Sequence, residues 1–228
     1  MRFVRLTGLV LLAVMTVGLM GAASAQADPP NPLFRPANGQ LVLLLSGTTI
    51  LRFGPQSILC KKDLWHGFVD NSLLIGDAFA HFLECQYLVG EQTSGCEANS
   101  VGSTGGLILF GFFHGILGLI LPSRRTGILF LPQSGKTFTT LAAAEKEGKK
   151  CGLETRIEGN FAGVVEPVGV SQKATTIKVQ LVEGLASIKD IDLTHGLGLV
   201  VPRFVGAGEL GGLEGIESGE FSEATEVT

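Results

Sequence analysis

Apolar residues in this chain come in short runs. From Gln40 onward, Leu41–Leu45, Thr49–Phe53, Phe79–Val89, Leu107–Phe113, Ile116–Leu121 and Ile128–Leu131 are separated by Gly, Ser, Asn and Pro. So are Lys150–Ile157, Phe161–Val170, Thr175–Val182 and Leu197–Val201. Two stretches alternate well. Cys151, Leu153, Thr155 and Ile157 share one parity, with Glu154, Arg156 and Glu158 on the other; Ile177, Val179 and Leu181 stand opposite Lys178 and Gln180. Period two is the pattern of a half-buried strand. One segment has helical character: Thr140–Lys149, where Ala142–Ala144 precede Glu145, Lys146 and Glu147. It suits a charged hairpin loop ending at Gly148 equally well. The predicted fold is all-β, a β-sandwich or irregular β-barrel of many short strands.

Glycine supports this reading. The chain has 32 Gly in 228 residues, and each Gly inside a helix costs roughly 1 kcal/mol relative to Ala. The most apolar block, Leu107–Leu121, has Gly111 and Gly115 at G-x-x-x-G spacing and also holds Gly118 and His114. At 15 residues it is shorter than the roughly 20 that span a bilayer as a helix. Two buried strands turning near His114-Gly115 are expected there. If the rest of the fold leaves the block uncovered, it becomes an apolar patch for self-association or for lipid or cell-surface contact.

The ends of the chain differ from its middle. Residues 1–25 read as a signal peptide: Arg2 and Arg5, an apolar run from Leu6 to Met20, and a small-residue site at Ala23-Ser24-Ala25. Residues 26–39 read as an extended Pro-rich leader, 40–203 as one β-rich domain, and 204–228 as an acidic Gly-rich tail of the solvated kind. Without residues 1–25 the chain carries 15 basic and 21 acidic residues, a net charge near −6. That argues against nucleic acid and anionic membrane as partners. The expected location is secreted or on the exterior of the cell envelope.

Cys60, Cys85, Cys96 and Cys151 form an even set in a chain that begins like an exported one, so two disulfides are expected and three pairings are open. The preferred pairing joins Cys85 to Cys96 across a short turn and Cys60 to Cys151 across the domain. No C-x-x-C pair is present, so no metal site is assigned.

Ile58-Leu59-Cys60, Gly95-Cys96 and Lys150-Cys151 with Ile157-Glu158-Gly159-Asn160-Phe161-Ala162-Gly163 give the chain a recognisable outline, as does Gly219-Glu220-Phe221-Ser222 near its acidic end. It resembles a group of exported four-cysteine β-rich proteins of high-GC Gram-positive bacteria that have no assigned activity. The resemblance implies an exported β-rich protein and supplies no catalytic residue.

Candidate chemistry is sparse. His66, Asp70, Asp77, His81 and Glu84, between the first two cysteines, are the densest polar set and the candidates for a hydrolytic site. Pro132-Gln133-Ser134-Gly135-Lys136-Thr137 ends like a phosphate-binding loop, but Phe130 occupies the leading Gly position. Val101-Gly102-Ser103-Thr104-Gly105 likewise lacks the first Gly of a nucleophile elbow. Fourteen Phe against one Trp and one Tyr read as core and argue against a sugar-binding surface. No cofactor is expected. The leading expectation is a non-enzymatic exported β-protein with a structural, adhesive or surface-interaction role and no named partner. The alternatives are a secreted hydrolase with its site between Cys60 and Cys85, and a membrane-associated protein using residues 107–121.

Overall fold

The structure, a computed structural model, describes residues 32–36, 39–89, 92–143, 151–179, 188–193, 198–200, 204–206 and 209–228. The signal segment 1–25 lies outside the described residues, as do positions 26–31, 37 and 38 of the leader. All regular structure among the described residues is β, as the short alternating runs require.

The chain runs as a meander whose arms each consist of two strands in series. β2 (Gln40–Ser46) leads into β3 (Thr49–Phe53), and the chain returns through β4 (Gln56–Cys60) and β5 (Lys62–Val69). β6 (Leu74–Leu83) with β7 (Gln86–Val89), then β8 (Gln92–Ser100) with β9 (Ile108–Pro122), form the next two arms. β10 (Arg125–Pro132) with β11 (Thr137–Ala143), and β12 (Glu154–Gly159) with β13 (Phe161–Glu166), follow. After β14 (Gln172–Val179), β15 (Ile188–Leu193) pairs with the end of β9 and with β16 (Gly198–Val200). β17 (Phe204–Gly206) precedes the long β18 (Glu209–Val227), whose end pairs with β1 (Phe34–Arg35).

One strand of each arm belongs to a closed eight-stranded antiparallel barrel, β2-β5-β6-β9-β10-β13-β14-β18, in which β18 hydrogen-bonds back to β2. The other strands form a second sheet, β3-β4-β7-β8-β11-β12-β17, with β18 joining its two ends. The breaks within the arms make a waist between the two sheets. β18 crosses that waist unbroken: Glu214 pairs with Ile50 of β3, and four residues on Ser218 pairs with Leu45 of β2.

β18 replaces the expected acidic tail. Its alternate residues Leu213, Glu217 and Phe221 are buried, while Ile216, Ser218 and Glu220 face outward. The recurring glutamates and glycines give the segment a solvated look in the sequence, although Glu217 among them faces inward. Gly219 is needed for closure, because a Cβ there would run into the carbonyl of Leu43 on the partner strand.

The apolar block also differs from expectation. Ile108–Pro122 is one continuous strand without a turn at His114-Gly115. Neighbours on both sides hold it straight: β6 along Ile108–Ile116 and β10 along Phe113–Ile120. Thr140–Ala143, the start of the segment read as helix or hairpin, is part of β11, while residues 144–150 lie outside the described residues.

Both disulfides exist, with a different pairing from the preferred one: Cys60–Cys85 and Cys96–Cys151. Leu59 pairs with Gln86 and Lys62 with Leu83, so Cys60 and Cys85 meet at the waist as cross-strand neighbours with Cα atoms 4.0 Å apart. Cys96 on β8 and Cys151 before β12 flank the end of β11, which pairs with both strands. Loop closures of 25 and 55 residues contribute about 3.5 and about 4 kcal/mol by chain entropy. Two disulfides suit an oxidising, extracellular environment.

Both sheets share one apolar interior, running from Phe34 and Val42 through Trp65 to Leu141, Leu153 and Leu213. In the barrel it is aromatic. The Trp65 ring meets Phe82, Phe113, Phe130 and Phe161 edge-on at centroid distances of 5.9, 5.7, 5.5 and 5.8 Å. Such pairs contribute about 0.5–1.5 kcal/mol each beyond area burial. A cavity beside Trp65 has about 20 Å³, room for roughly one water.

Candidate functional site: an outer apolar face and a buried acid pair

Strand alternation turns the residues between the barrel's inner positions outward. On β2, β5 and β6 these residues are also apolar or aromatic. The register lines them up across the sheet: Leu43, His66 and Phe79 in one row, Leu45, Leu64, His81 and Leu109 in the next. A bulge on β9 extends the face. Ala78 pairs with Phe113 and Ala80 with Phe110, so Gly111 and Phe112 both stand opposite Phe79. The extra residue leaves Phe112 on the outside, 61% exposed, with its ring 6.4 Å from that of Phe79. Leu45, Phe68, Leu43 and Leu83 are also exposed. Contiguous exposed apolar patches are uncommon on monomeric soluble proteins.

The two histidines belong to this face. His66 stacks on Phe79 at 4.7 Å and meets Phe68 edge-on at 5.2 Å, while the tilted His81 ring lies 5.0 Å from that of Phe79. The acidic members of the predicted set are occupied elsewhere. Asp77, at φ 45°, accepts from Gln133 Nε2 at 3.2 Å. Asp70 lies in the β5–β6 turn with its carboxylate over Gly76. Glu84 stands at the waist in ion pairs with Lys62 at 3.0 Å and Lys61 at 3.3 Å, which lower the pKa of its carboxyl. The structure thus brings His66 and His81 together around a phenyl ring, and their described partners are aromatic rings, not carboxylates.

Sequence reading missed a second polar cluster. Asp63, the second residue of β5, has the inward parity it shares with Trp65, and it is 2% exposed. Ser46, at the end of β2, pairs with it in register and donates to its Oδ2 at 2.7 Å. Thr49, where the chain resumes as β3, donates to the same oxygen and lies 3.1 Å from Ser46 Oγ. Glu217 comes from β18 where its pairing moves from β3 to β2, and it is fully buried. Burial and the neighbouring Asp63 push its pKa up to about 10. Asp63, Ser46 and Thr49 are all near enough to act on the Glu217 carboxyl, yet Asp63 Oδ1 and both Glu217 oxygens have no partner with hydrogen-bond geometry. An acidic residue on the apolar parity of a strand signals Asp63 in the sequence. Nothing in the spacing signals Glu217 as its neighbour.

Thr49, Asp63 and Glu217 are buried and Ser46 is half-buried, so no bulky substrate reaches the two carboxyl groups. Among the described residues no three or more His, Cys, Asp or Glu side chains gather as a metal-binding group, and no helix is long and apolar enough to cross a membrane. No family model, curated protein or solved structure matches the chain.

Proposed function

We propose that the chain is an exported, non-enzymatic β-barrel protein that works by self-association through the outer face of β2, β5, β6 and β9. The observation that carries this reading is the contiguous apolar face, with Leu45 54% and Phe112 61% exposed at its two sides. The face's border has both signs of charge, Glu220 beyond Leu43 and the Lys61, Lys62 and Glu84 group at the waist. A border of mixed sign complements itself in a two-fold contact and selects against an anionic surface. The signal-like residues 1–25 and the two disulfides support export to the envelope exterior or beyond. The resemblance to exported four-cysteine β-proteins points the same way.

Sedimentation of the purified mature protein over a range of concentrations tests this. A concentration-dependent dimer or larger species is expected, and Phe112→Asp should shift it to monomer without lowering Tm. A wild type that stays monomeric at all concentrations overturns the reading. If that monomer floats with neutral lipid vesicles, the same exposed phenylalanines serve membrane contact instead.

A further inference from the structure

The acid pair at the waist has a chemistry of its own. Ser46, Thr49, Asp63 and Glu217 supply only oxygen, and together they hold six side-chain oxygens. The two hydroxyls gather on Asp63 Oδ2, which leaves Asp63 Oδ1 and both Glu217 oxygens unsatisfied in the interior. The Glu217 side chain points into this group. A Cβ placed on Gly215 would lie 3.0 Å from both Glu217 Oε1 and Thr49 Oγ1, so the absence of a side chain at 215 is what lets these two oxygens converge. Glu217 is 0% and Asp63 2% exposed. Buried carboxylate oxygens without partners are strongly unfavourable, and a buried charge is ordinarily paired or bound to a metal.

We propose that Ser46, Thr49, Asp63 and Glu217 form an enclosed site for one hard divalent cation of the calcium class. Donor type, charge and enclosure select this ligand. An all-oxygen set suits hard cations and not zinc or copper. Two carboxylates balance a double positive charge, so the loaded site is neutral within an apolar interior. Calcium takes about 6–8 oxygens in flexible geometry, whereas magnesium keeps several waters, and a site this enclosed offers little water. Each hydroxyl turns its proton away and presents a lone pair to the ion. The ligands come from β2, β3, β5 and β18, so the ion would pin the strand that closes the barrel to both sides of the β2–β3 break. Its binding is therefore coupled to folding.

Trp65, the chain's one tryptophan, lies two residues along β5 from Asp63 on the same inward parity. That places it roughly 7 Å away along the strand, close enough to sensitise a bound lanthanide. The test uses mature protein refolded in chelator and then given terbium alone. Trp-sensitised terbium emission saturating at one equivalent and displaced by calcium is expected. Calcium at about a hundred times its dissociation constant should raise Tm by roughly 5 °C or more, with a smaller effect from magnesium. Glu217→Gln and Asp63→Asn should each abolish both responses. Should Asp63→Asn fail to fold, Glu217→Gln decides, since it keeps the size of the side chain. No emission and an unchanged wild-type Tm in millimolar calcium would overturn the proposal and leave Glu217 as the holder of a proton. Responses that survive in Glu217→Gln would also overturn it, because they would come from surface carboxylates.

Discussion

Trp65 and His66 are adjacent on β5, yet they live in opposite environments. Trp65 turns inward and is enclosed by four phenyl rings from β6, β9, β10 and β13. His66 turns outward and stacks on Phe79 in an aromatic group that ends at the exposed Phe112. Both groups draw on β5, β6 and β9 and on similar residue types. What separates them is closure. The inner rings have neighbours on every side because β18 returns to β2, while the outer rings have neighbours only within their own sheet. An aromatic cluster is thus enclosed or left exposed according to which side of this closed sheet it occupies.

The inner aromatic cluster should be the most sensitive to substitution. Trp65→Ala removes the ring at the centre of the cluster and is expected to cost about 3–5 kcal/mol, read as a shifted denaturation midpoint. If the loss is under about 1 kcal/mol, the inner rings do not organise the barrel.

The acid pair should respond with an effect of intermediate size. In chelator, Glu217 holds its proton in the folded state up to about pH 10, whereas its ordinary value is 4.5. The folded state then binds more protons than the unfolded one between those values. The stabilising contribution is complete below the ordinary value and is lost as pH rises towards the folded one. The limiting slope is about 1.4 kcal/mol per pH unit. Denaturation midpoints of the metal-free protein should fall from about pH 5 to about pH 9, and Glu217→Gln should flatten the fall. A wild-type profile as flat as that of the variant would show that burial does not hold the proton.

The outer half should break least in stability and most in association. Phe112→Ala is expected to change folding stability by no more than about 0.5 kcal/mol while weakening self-association in sedimentation. A large loss of stability would mean that the outer stack belongs to the core after all.

Parts of this contrast were legible beforehand. Five apolar residues in a row at Leu41–Leu45 place apolar side chains on both faces of one strand, which already suggests two covered or sticky faces. Leu43 and Leu45 supply the outer one. The hydrolytic set was less legible, because proximity in sequence hid the alternation: His66 and His81 share a face only through cross-strand register, and Asp77 and Glu84 leave it through residues at positive φ. The pairing of the cysteines depended on the same register. Cys85 lies 11 residues from Cys96 and 25 from Cys60, yet the β4–β7 and β5–β6 ladders set it beside Cys60.

The sequence by itself determined the class of structure. Period-two alternation, frequent Gly and short apolar runs leave strands as the regular element, and an even set of cysteines behind an export-like segment leads to two disulfides. These are local properties, legible wherever a few neighbouring residues decide the outcome. Tertiary structure alone decided that an acidic, Gly-rich segment closes the barrel as β18. It also decided which cysteines meet, and that Glu217 faces Asp63 from 154 residues away. The physical reason is common to all three. Strand pairing is long-range, and a shift of one residue in register exchanges the inner and outer faces, so these neighbours exist only once the sheet has closed.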